Sequence, residues 1–308
     1  MENLEQKNFG LKNLGMIVNA NRPEAVEMGR RLLRWSRESG TPILLPLQEA
    51  SMFMTGGLSD EEWLASVDAA VVIGGDGTFL RAGRYVLDAD IPLYGINLGH
   101  LGFLASGKAE EAEQDLARIV QGDYTLLERH LLHCNLFREE KTLHTMFALN
   151  DFVLTKNAIA RLLYIEVRFN GKFFGVLPSD GIIISSPTGS TAYALAAGGP
   201  IIPPHMRSMI LAPICAHTLY SRPLLAAPED TITLTPKGGA RDVTLTQDGQ
   251  LAYEVLPGDC VSISLSDRVV RTINMPNRTF LDLVQEKLGW GQDIESSSRR
   301  FSRRGSGE

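Results

Sequence analysis

The sequence has few cysteines, no long apolar run and no excess of positive charge, and each absence excludes a class of protein. Its three cysteines, Cys134, Cys215 and Cys260, are odd in number and far apart. A disulfide framework is therefore not expected, and a reducing compartment is the default. No apolar run is long enough to span a bilayer, and the first thirteen residues lack the apolar centre of a signal peptide. We expect a cytoplasmic protein that does not bind membranes.

The sequence also lacks the net positive charge that nucleic-acid binding favours. The 308 residues carry a formal net charge of -6, so no overall basic field favours nucleic acid as a partner. Local features of the chain would have to hold any ligand that carries phosphates. With 44% hydrophobic and 21% charged residues, the composition is that of a packed globular protein long enough for two domains.

The first third of the chain alternates between apolar strands and amphipathic helices. Strands are predicted at 13–20, 41–47, 66–75 and 91–97, and helices at 23–40 and 77–90. The first helix has apolar residues at helical spacing between an initial Pro23 and a final Gly40. Such alternation of apolar strands with helices indicates a Rossmann-like α/β domain with a parallel sheet.

From about residue 125, short runs rich in Val, Ile, Thr and Phe replace this alternation. Turn signals such as Asn170-Gly171 and Asp248-Gly249 separate them, which is typical of antiparallel strands. Helical character returns at 191–199 and at 277–290. We predict an α/β domain formed by 1–124 and 273–292, a β-sandwich-like domain at 125–272 and a disordered tail at 293–308.

The segment VVIGGDGTFLRA (71–82) has three glycines between an apolar strand and a helix. Glycine permits a close approach of the backbone to a ligand, and amides at a helix N-terminus bind phosphate. The predicted phosphate cradle consists of Gly74, Gly75, Gly77 and Thr78. Phosphates would repel Asp76 inside this cradle, and a role as general base would explain its presence. The alternative is a tight turn in which Asp76 caps the helix.

Three other patterns do not support a function. Gly102 to Lys108 fits G-x-x-x-x-G-K, but Ala109 stands where a P-loop needs Ser or Thr to bind Mg²⁺. The fingerprint G-x-G-x-x-G is absent, which removes the main support for a Rossmann dehydrogenase. His130 and His133 of the run H-x-x-H-C would point to opposite faces of a strand. No metal site built by the protein is predicted.

The segment 179–202 combines a strand, a Pro-Thr-Gly-Ser-Thr turn, a tyrosine and a Gly-Gly pair. Small hydroxyl residues beside glycine can donate hydrogen bonds to a sugar or a phosphate, and Tyr193 can stack on a base. The alternative is a packed connection between a strand and a helix. The density of turn residues favours a binding segment.

Together these segments resemble the NAD kinase family. The matching segments follow the family's order: GGDGT (74–78), GINLGHLGFL (95–104), Asn150-Asp151, DGIIISSPTGSTAYALAAGGPI (180–201), HTLYSRPL (217–224), DGQ (248–250) and KLGWG (287–291). The resemblance covers about residues 14–291. GGDGT alone also occurs in diacylglycerol and sphingosine kinases, whereas the long segment 180–201 is typical of NAD kinases.

The resemblance implies an enzyme that transfers the γ-phosphate of ATP to the 2′-hydroxyl of the adenosine ribose of NAD, with Asp76 as the catalytic base. It implies Mg²⁺ with ATP, inorganic polyphosphate as donor in some members, and assembly as a homodimer or homotetramer. The positions that match NAD-binding residues are Asp76, Gly77, Arg81, Asn150, Asp151, Arg161, Asp180, Thr191, Ala192, Tyr193, Ala196 and Gln250. Asp180 would reach the nicotinamide end of NAD on a neighbouring subunit.

This chain departs from the family pattern at three positions. Asp151 replaces a glutamate, and Pro178 stands where a polar or basic residue is frequent. Ala196 replaces a serine whose hydroxyl meets the adenine in many members, and alanine has no hydroxyl for that contact.

Two other functions are compatible with part of these motifs. A lipid kinase with the GGDGT motif is disfavoured because the sequence has no membrane-docking helix and does contain the segment 180–201. A non-catalytic NAD-binding sensor is disfavoured because Asp76 is intact.

Overall fold

The computed structural model describes residues 10–99, 102–105, 107–156, 162–238, 242–276 and 278–290. No helix within these ranges is long and apolar enough to cross a membrane. Arg161 and the segment 293–308 lie outside the described residues, so the expectations for them stay predictions, as do the domain boundaries.

The helices are α1 (Pro23–Ser39), α2 (Leu47–Phe53), α3 (Asp60–Ser66), α4 (Asp76–Val86), α5 (Ala112–Val120), α6 (Tyr193–Ala196) and α7 (Phe280–Leu288), with 3₁₀ turns η1 (Ala109–Glu111) and η2 (Thr188–Thr191). The strands are β1 (Leu14–Val18), β2 (Ile43–Leu44), β3 (Ala69–Ile73), β4 (Leu93–Asn97), β5 (Gly107–Lys108), β6 (Thr125–Arg138), β7 (Lys141–Ala148), β8 (Asp151–Lys156), β9 (Leu163–Phe169), β10 (Lys172–Ser179), β11 (Gly181–Ser185), β12 (Met209–Ile214), β13 (Leu224–Ala226), β14 (Thr231–Lys237), β15 (Val243–Gln247), β16 (Leu251–Val255) and β17 (Cys260–Asn274).

The N-terminal region is a parallel sheet in the order β4-β3-β1-β2. All five residues of β1 and of β3 are buried, because helices cover both faces. On one face α1 packs Ala25, Met28 and Leu32 against the strands, and on the other face Trp63 and Phe79 do so. The chain leaves β1 towards β2 and returns to β3 on the opposite side. The strand order therefore reverses between β1 and β3, where open α/β sheets bind ligands.

The long strand β17 continues this sheet into the antiparallel region. It pairs in parallel with β4 at Thr272, and antiparallel with β6 and β14. A second sheet, in the order β13-β12-β11-β8-β15-β16, stacks on the antiparallel part across a shared apolar core. The prediction of a parallel α/β region followed by an antiparallel, sandwich-like region is confirmed.

Several predicted elements differ in extent, and three helices were not predicted. The helix predicted at 77–90 is α4 at Asp76–Val86, and the predicted helical segment 191–199 shrinks to the end of η2 and α6. Helices α2, α3 and α5 were missed, although a capping box of Ser59 and Glu62 starts α3. Both predicted turns are confirmed by positive φ angles at Asn170-Gly171 and Asp248-Gly249.

Candidate active site

Asp76 is the first residue of α4, directly after the glycines that follow β3. Its carboxylate accepts hydrogen bonds from the backbone nitrogens of Phe103 at 3.1 Å, Leu104 at 3.1 Å and Ala105 at 3.3 Å. α4 has no side-chain cap, so the alternative in which Asp76 caps its own helix is wrong. The residue instead connects the start of α4 to the loop after β4, which fixes the orientation of the carboxylate.

A glycine makes this contact possible. A Cβ atom on Gly102 would lie 2.0 Å from Oδ1 of Asp76, so any other residue would displace the carboxylate. Asp76 keeps about a third of its side chain exposed, at 32%. The carboxylate is therefore both anchored and open to a ligand.

Two cations lie near Asp76, and sequence reasoning assigned a role to neither. Nζ of Lys287, on α7, is 3.9 Å from Oδ2 of Asp76 and 4.3 Å from the ring centre of Phe103. Arg129, on β6, is buried, and burial lowers its pKa to about 10 while the charge of Asp76 opposes that shift. Both cations therefore add positive charge to the surroundings of the Asp76 carboxylate.

The guanidinium of Arg129 joins three segments through long hydrogen bonds. It donates to the hydroxyl of Thr272 at 3.3 Å, to the hydroxyl of Thr188 at 3.5 Å and to the carbonyl of Phe103 at 3.5 Å. Arg129 therefore connects the loop that holds Asp76 to the turn η2 of the segment 180–201.

The turn between β15 and β16 organises a second cluster of acids. Asp248, buried in this turn, accepts hydrogen bonds from the backbone nitrogens of Asn150 at 2.7 Å, Leu149 at 3.2 Å and Asp151 at 3.4 Å. Burial raises the pKa of Asp248, although these amides and Arg84 act in the opposite direction. Asp248 thus fixes the backbone at Asn150-Asp151.

Asp151 differs from its neighbour because its carboxylate makes no hydrogen bond or ion pair with the described residues. The residue is only 4% exposed. Burial, and secondarily the charge of Asp248, raise the pKa of Asp151 to about 7. A buried acid without donors is costly, and hydroxyl groups of a ligand would supply the missing donors.

The turn η2 lies directly on Asn150. The carbonyl of Asn150 accepts hydrogen bonds from the backbone nitrogen of Ser186 at 2.9 Å and from the hydroxyl of Ser185 at 3.2 Å. A Cβ atom on Gly189 would lie 2.1 Å from this carbonyl, which explains why the turn contains glycine. Tyr193 follows the turn and is 46% exposed, as stacking on a base requires.

Gln250 connects the two clusters. Its Nε2 donates to the carbonyl of Gly77 at 2.7 Å, and its Oε1 accepts from Arg84 at 2.5 Å. Because Gly77 and Arg84 belong to α4, the turn that holds Asn150-Asp151 is fixed to the helix that begins with Asp76. The structure thus brings together two acid-containing elements that are far apart in sequence.

Two protein-family models match the sequence that forms this site. The model described as the ATP-NAD kinase N-terminal domain matches residues 14–124, and the model described as the ATP-NAD kinase C-terminal domain matches residues 149–275. This chain belongs to the NAD kinase family. Because both domains match, the lipid kinase alternative is not favoured.

Relatives in the NAD kinase family align with nearly the whole chain. The NAD kinase of Moorella thermoacetica is 38% identical over 291 residues, which are 93% of this chain and 93% of the relative. The NAD kinase of Solibacter usitatus is 38% identical over 285 residues, which are 92% of this chain and 99% of the relative.

Two solved structures share the fold. Yeast NADH kinase complexed with NADH superposes with a TM-score of 0.85 at 22% identity, over 93% of this chain and 90% of that one. An NAD kinase from Archaeoglobus fulgidus in complex with ATP gives a TM-score of 0.69 at 22% identity, over 91% of this chain and 99% of that one.

Asp180 lies away from Asp151, another position that matches the family. It precedes β11, and its carboxylate is 2.6 Å from Nζ of Lys156. In the pairing of β11 with β8, Ser185 is opposite Asp151 and Gly181 is opposite Thr155. Five residues of extended chain separate Asp180 from Ser185, which corresponds to roughly 16 Å. Asp180 is therefore remote from Asp151 within one chain.

No group of three or more His, Cys, Asp or Glu side chains in the described ranges is arranged to hold a metal ion. Burial raises the pKa of Cys134 far above its ordinary value. This thiol, next to His133 in the run H-x-x-H-C, is a core residue.

Proposed function

We propose that this protein is an NAD kinase that transfers the γ-phosphate of ATP to the 2′-hydroxyl of the adenosine ribose of NAD, giving NADP and ADP. The observation that carries the proposal is the Asp76 carboxylate, anchored by three backbone amides at the start of α4. Family membership and relatives named NAD kinase over nearly their whole length support it.

Where the phosphate is transferred, Asp76 accepts the proton of the 2′-hydroxyl of NAD as that oxygen attacks the γ-phosphorus of ATP. The backbone of Gly74, Gly75, Gly77 and Thr78 stabilises the transferring phosphate, aided by the positive end of the α4 dipole. Mg²⁺ would be carried by the triphosphate, because hard oxygen ligands suit it. Asp76 is the partly exposed oxygen donor beside the cradle, which fits such an ion.

On the acceptor side, the side chains of Asn150 and Asp151 bind the hydroxyls of the adenosine ribose. The unpartnered, buried carboxylate of Asp151 supports this role because hydroxyl donors would satisfy it. Thr191, Ala192 and Tyr193 surround the adenosine, and Ala196 offers the adenine no hydroxyl. Gln250 supports the site through Gly77, and Arg161 is proposed to contact NAD on the resemblance alone.

We further propose that the active site is shared between subunits of a homodimer or homotetramer. The distance of Asp180 from Asp151 along β11 supports this, because Asp180 would then serve the NAD held by a neighbouring chain. Mixing Asp76→Ala with Asp180→Ala under subunit exchange should restore about a quarter of wild-type activity, since random assortment leaves one site in four intact.

This mixing experiment requires that each variant alone be nearly inactive. No recovery despite demonstrated subunit exchange would contradict the shared site. We also propose a cytoplasmic enzyme without nucleic-acid or membrane partners, which the free cysteines of the described chain support.

The activity is tested by incubating the pure protein with ATP, MgCl₂ and NAD, and assaying NADP with an NADP-specific dehydrogenase. Phosphorus NMR of the product distinguishes a 2′-phosphate from a 3′-phosphate. We expect the 2′-phosphate, and polyphosphate and NADH in parallel reactions define the donor and acceptor range. A protein that binds NAD but forms no NADP would overturn the proposal in favour of an NAD-binding sensor.

A further inference from the structure

The turn at 248–250, between β15 and β16, contacts both halves of the proposed active site. On one side, Asp248 accepts hydrogen bonds from the backbone nitrogens of residues 149–151, which carry the proposed ribose-binding side chains. On the other side, the side-chain amide of Gln250 donates to the carbonyl of Gly77 at 2.7 Å, directly after the proposed base. The turn therefore lies between the groups that hold the ribose and the group that accepts its proton.

Arg84 joins the two ends of this turn. It lies on α4, about two helical turns after Asp76, and its Nη2 donates to Oε1 of Gln250 at 2.5 Å. Its Nη1 lies 3.7 Å from Oδ2 of Asp248, whose side chain is fully buried. One guanidinium on the helix of the base thus contacts both side chains of the turn.

The Nη1 atom of Arg84 is unusual for a residue that only supports the fold. It is buried and donates no hydrogen bond to a described residue, and a buried donor without a partner lowers stability. Apolar contacts already hold α4 in place, because Phe79 and Leu80 share a core cluster with Leu149. Stability of the fold does not explain the guanidinium, whereas its contacts with the turn do.

The chemistry requires such alignment because the ribose offers two hydroxyl groups on adjacent carbons. Either oxygen can attack a phosphate, and the one that faces the base loses its proton to it. A misplacement of about 1 Å can cost about a hundredfold in rate. The position of residues 149–151 relative to Asp76 therefore decides which hydroxyl reacts.

We propose that Arg84 and Gln250 are positioning residues that select the 2′-hydroxyl of the ribose for phosphate transfer. This rests on the proposed kinase function. Through Asp248 the pair holds the ribose-binding segment 149–151, and through Gly77 it holds the start of α4. The ribose therefore meets the base in a single orientation.

The bond changes are the same for either hydroxyl. The oxygen attacks the γ-phosphorus of ATP, its proton passes to Asp76, and the bond to the β-bridging oxygen breaks with its electron pair going to ADP. Attack by the 2′-oxygen gives NADP, and attack by the 3′-oxygen gives the isomer with a 3′-phosphate. The ratio of the two products therefore reports the alignment and not the rate.

The experiment compares Arg84→Met and Arg84→Lys with the control Arg207→Met. Methionine removes the charge at similar volume, and lysine keeps the charge without the planar fork that reaches two partners. Arg207 is a matched control because it also joins two segments, through an ion pair with Asp267 at 2.9 Å. The products formed from ATP, MgCl₂ and NAD are analysed by phosphorus NMR.

We expect the 3′-phosphate to rise to about a tenth of the product in Arg84→Met, because a displaced ribose presents the wrong hydroxyl. It should rise less in Arg84→Lys and stay at the wild-type level in Arg207→Met. The value of kcat should fall by about tenfold in Arg84→Met, with NAD affinity within about threefold of the wild type. A product that remains entirely the 2′-phosphate in Arg84→Met would overturn the proposal, and so would a loss confined to NAD affinity.

Gln250→Met tests the other member of the pair at an exposed position where the fold tolerates the change. It should also release the 3′-phosphate isomer. The double variant of Arg84→Met and Gln250→Met should form little more of this isomer than either single variant, because residues that act as one unit are not additive. Independent, additive increases would overturn the proposal.

Hydrogen exchange of the backbone amides of residues 149–151 provides a readout that needs no activity. These amides should exchange about tenfold faster in Arg84→Met than in the wild type, because Asp248 holds them less firmly, and Arg207→Met should not change them. Unchanged exchange in Arg84→Met would overturn the proposal even in a protein that forms no NADP. Faster exchange in a protein whose wild type forms no NADP would support the positioning role and count against the kinase function alone.

Discussion

Asp76 and Asp151 are carboxylates of one proposed active site, and their surroundings are opposite. Asp76 is a third exposed and accepts three backbone hydrogen bonds, with Lys287 nearby. Asp151 is 4% exposed and lies beside the acid Asp248, and its carboxylate accepts no hydrogen bond from the described residues. The protein itself stabilises the charge of the first and leaves the second without a partner.

The difference separates a reacting group from a binding group. A general base has to be oriented before the substrate arrives, and the three backbone amides around Asp76 meet that need. A carboxylate that lacks donors gains them only when a ligand with hydroxyl groups binds. Asp151 therefore suits recognition of a ribose, and Asp76 suits proton abstraction from it.

The largest expected effect is on turnover after substitution of the base. Asp76→Asn preserves the shape and one acceptor oxygen, but the amide cannot take a proton. We expect kcat to fall by roughly 10²- to 10⁴-fold, measured in the NADP assay, whereas Asp267→Asn on the surface should match the wild type. Turnover near the wild-type level in Asp76→Asn would remove Asp76 from the mechanism.

The second expected effect is on stability as a function of pH. A folded-state pKa of Asp151 near 7, against about 4 when unfolded, stabilises the protein below pH 4. This contribution is lost as the pH rises through 7 and amounts to at most about 4 kcal/mol. Asp151→Asn cannot ionise, so in urea melts without ligand it should gain stability over the wild type from pH 5 to pH 8. Asp267→Asn is the control, and parallel pH profiles for wild type and Asp151→Asn would contradict the assignment.

A smaller effect is expected from removing the buried cation near Asp76. Arg129→Met fills a similar volume without charge, so the protein should fold. Arg129 also binds the loop around Asp76 through the carbonyl of Phe103, and we expect its removal to lower kcat by about tenfold through lost electrostatic support of the transferring phosphate. The KM for NAD in the same NADP assay distinguishes this role from a structural one, because a distorted site would lose substrate binding as well as turnover.

The smallest expected effect is on the binding of NAD, which Tyr193 is proposed to support equally in the ground state and the transition state. Tyr193→Ala should raise KM for NAD by about tenfold through loss of base stacking, with kcat changed less. Tyr164→Ala, at a tyrosine of similar exposure on β9, is the matched control. A collapse of kcat with unchanged KM would assign Tyr193 a different role.

The sequence predicted the order of the elements because hydrophobic periodicity is local. The buried strands β1 and β3 and the helix α1 follow directly from apolar spacing, Pro23 and Gly40. The short helices α2 and α5 were missed because few residues define their period, and α3 because its capping box went unrecognised. The extent of β17 across both regions could not be predicted, since it depends on pairing with strands far away in sequence.

Only those parts of the candidate site that leave a local signal in the sequence could be predicted. Asp76 was found because an acid among phosphate-binding glycines is unusual locally. Arg129 and Lys287 act near it only through tertiary packing, and no local signal distinguishes them from other basic residues. Asp248 was predicted as a turn residue. The hydrogen bond that its carboxylate accepts from the backbone of Asn150 could not be predicted, because it depends on the contact between two turns.

The most direct test of the division between base and binding group is the NAD affinity of Asp76→Asn and Asp151→Asn, measured by calorimetry at pH 8 without ATP. Asp151→Asn should weaken NAD binding by about tenfold or more, because a charged acceptor for the ribose hydroxyls is lost. Asp76→Asn should bind NAD within a few-fold of the wild type. Equal losses in both variants, or a loss confined to Asp76→Asn, would contradict the account.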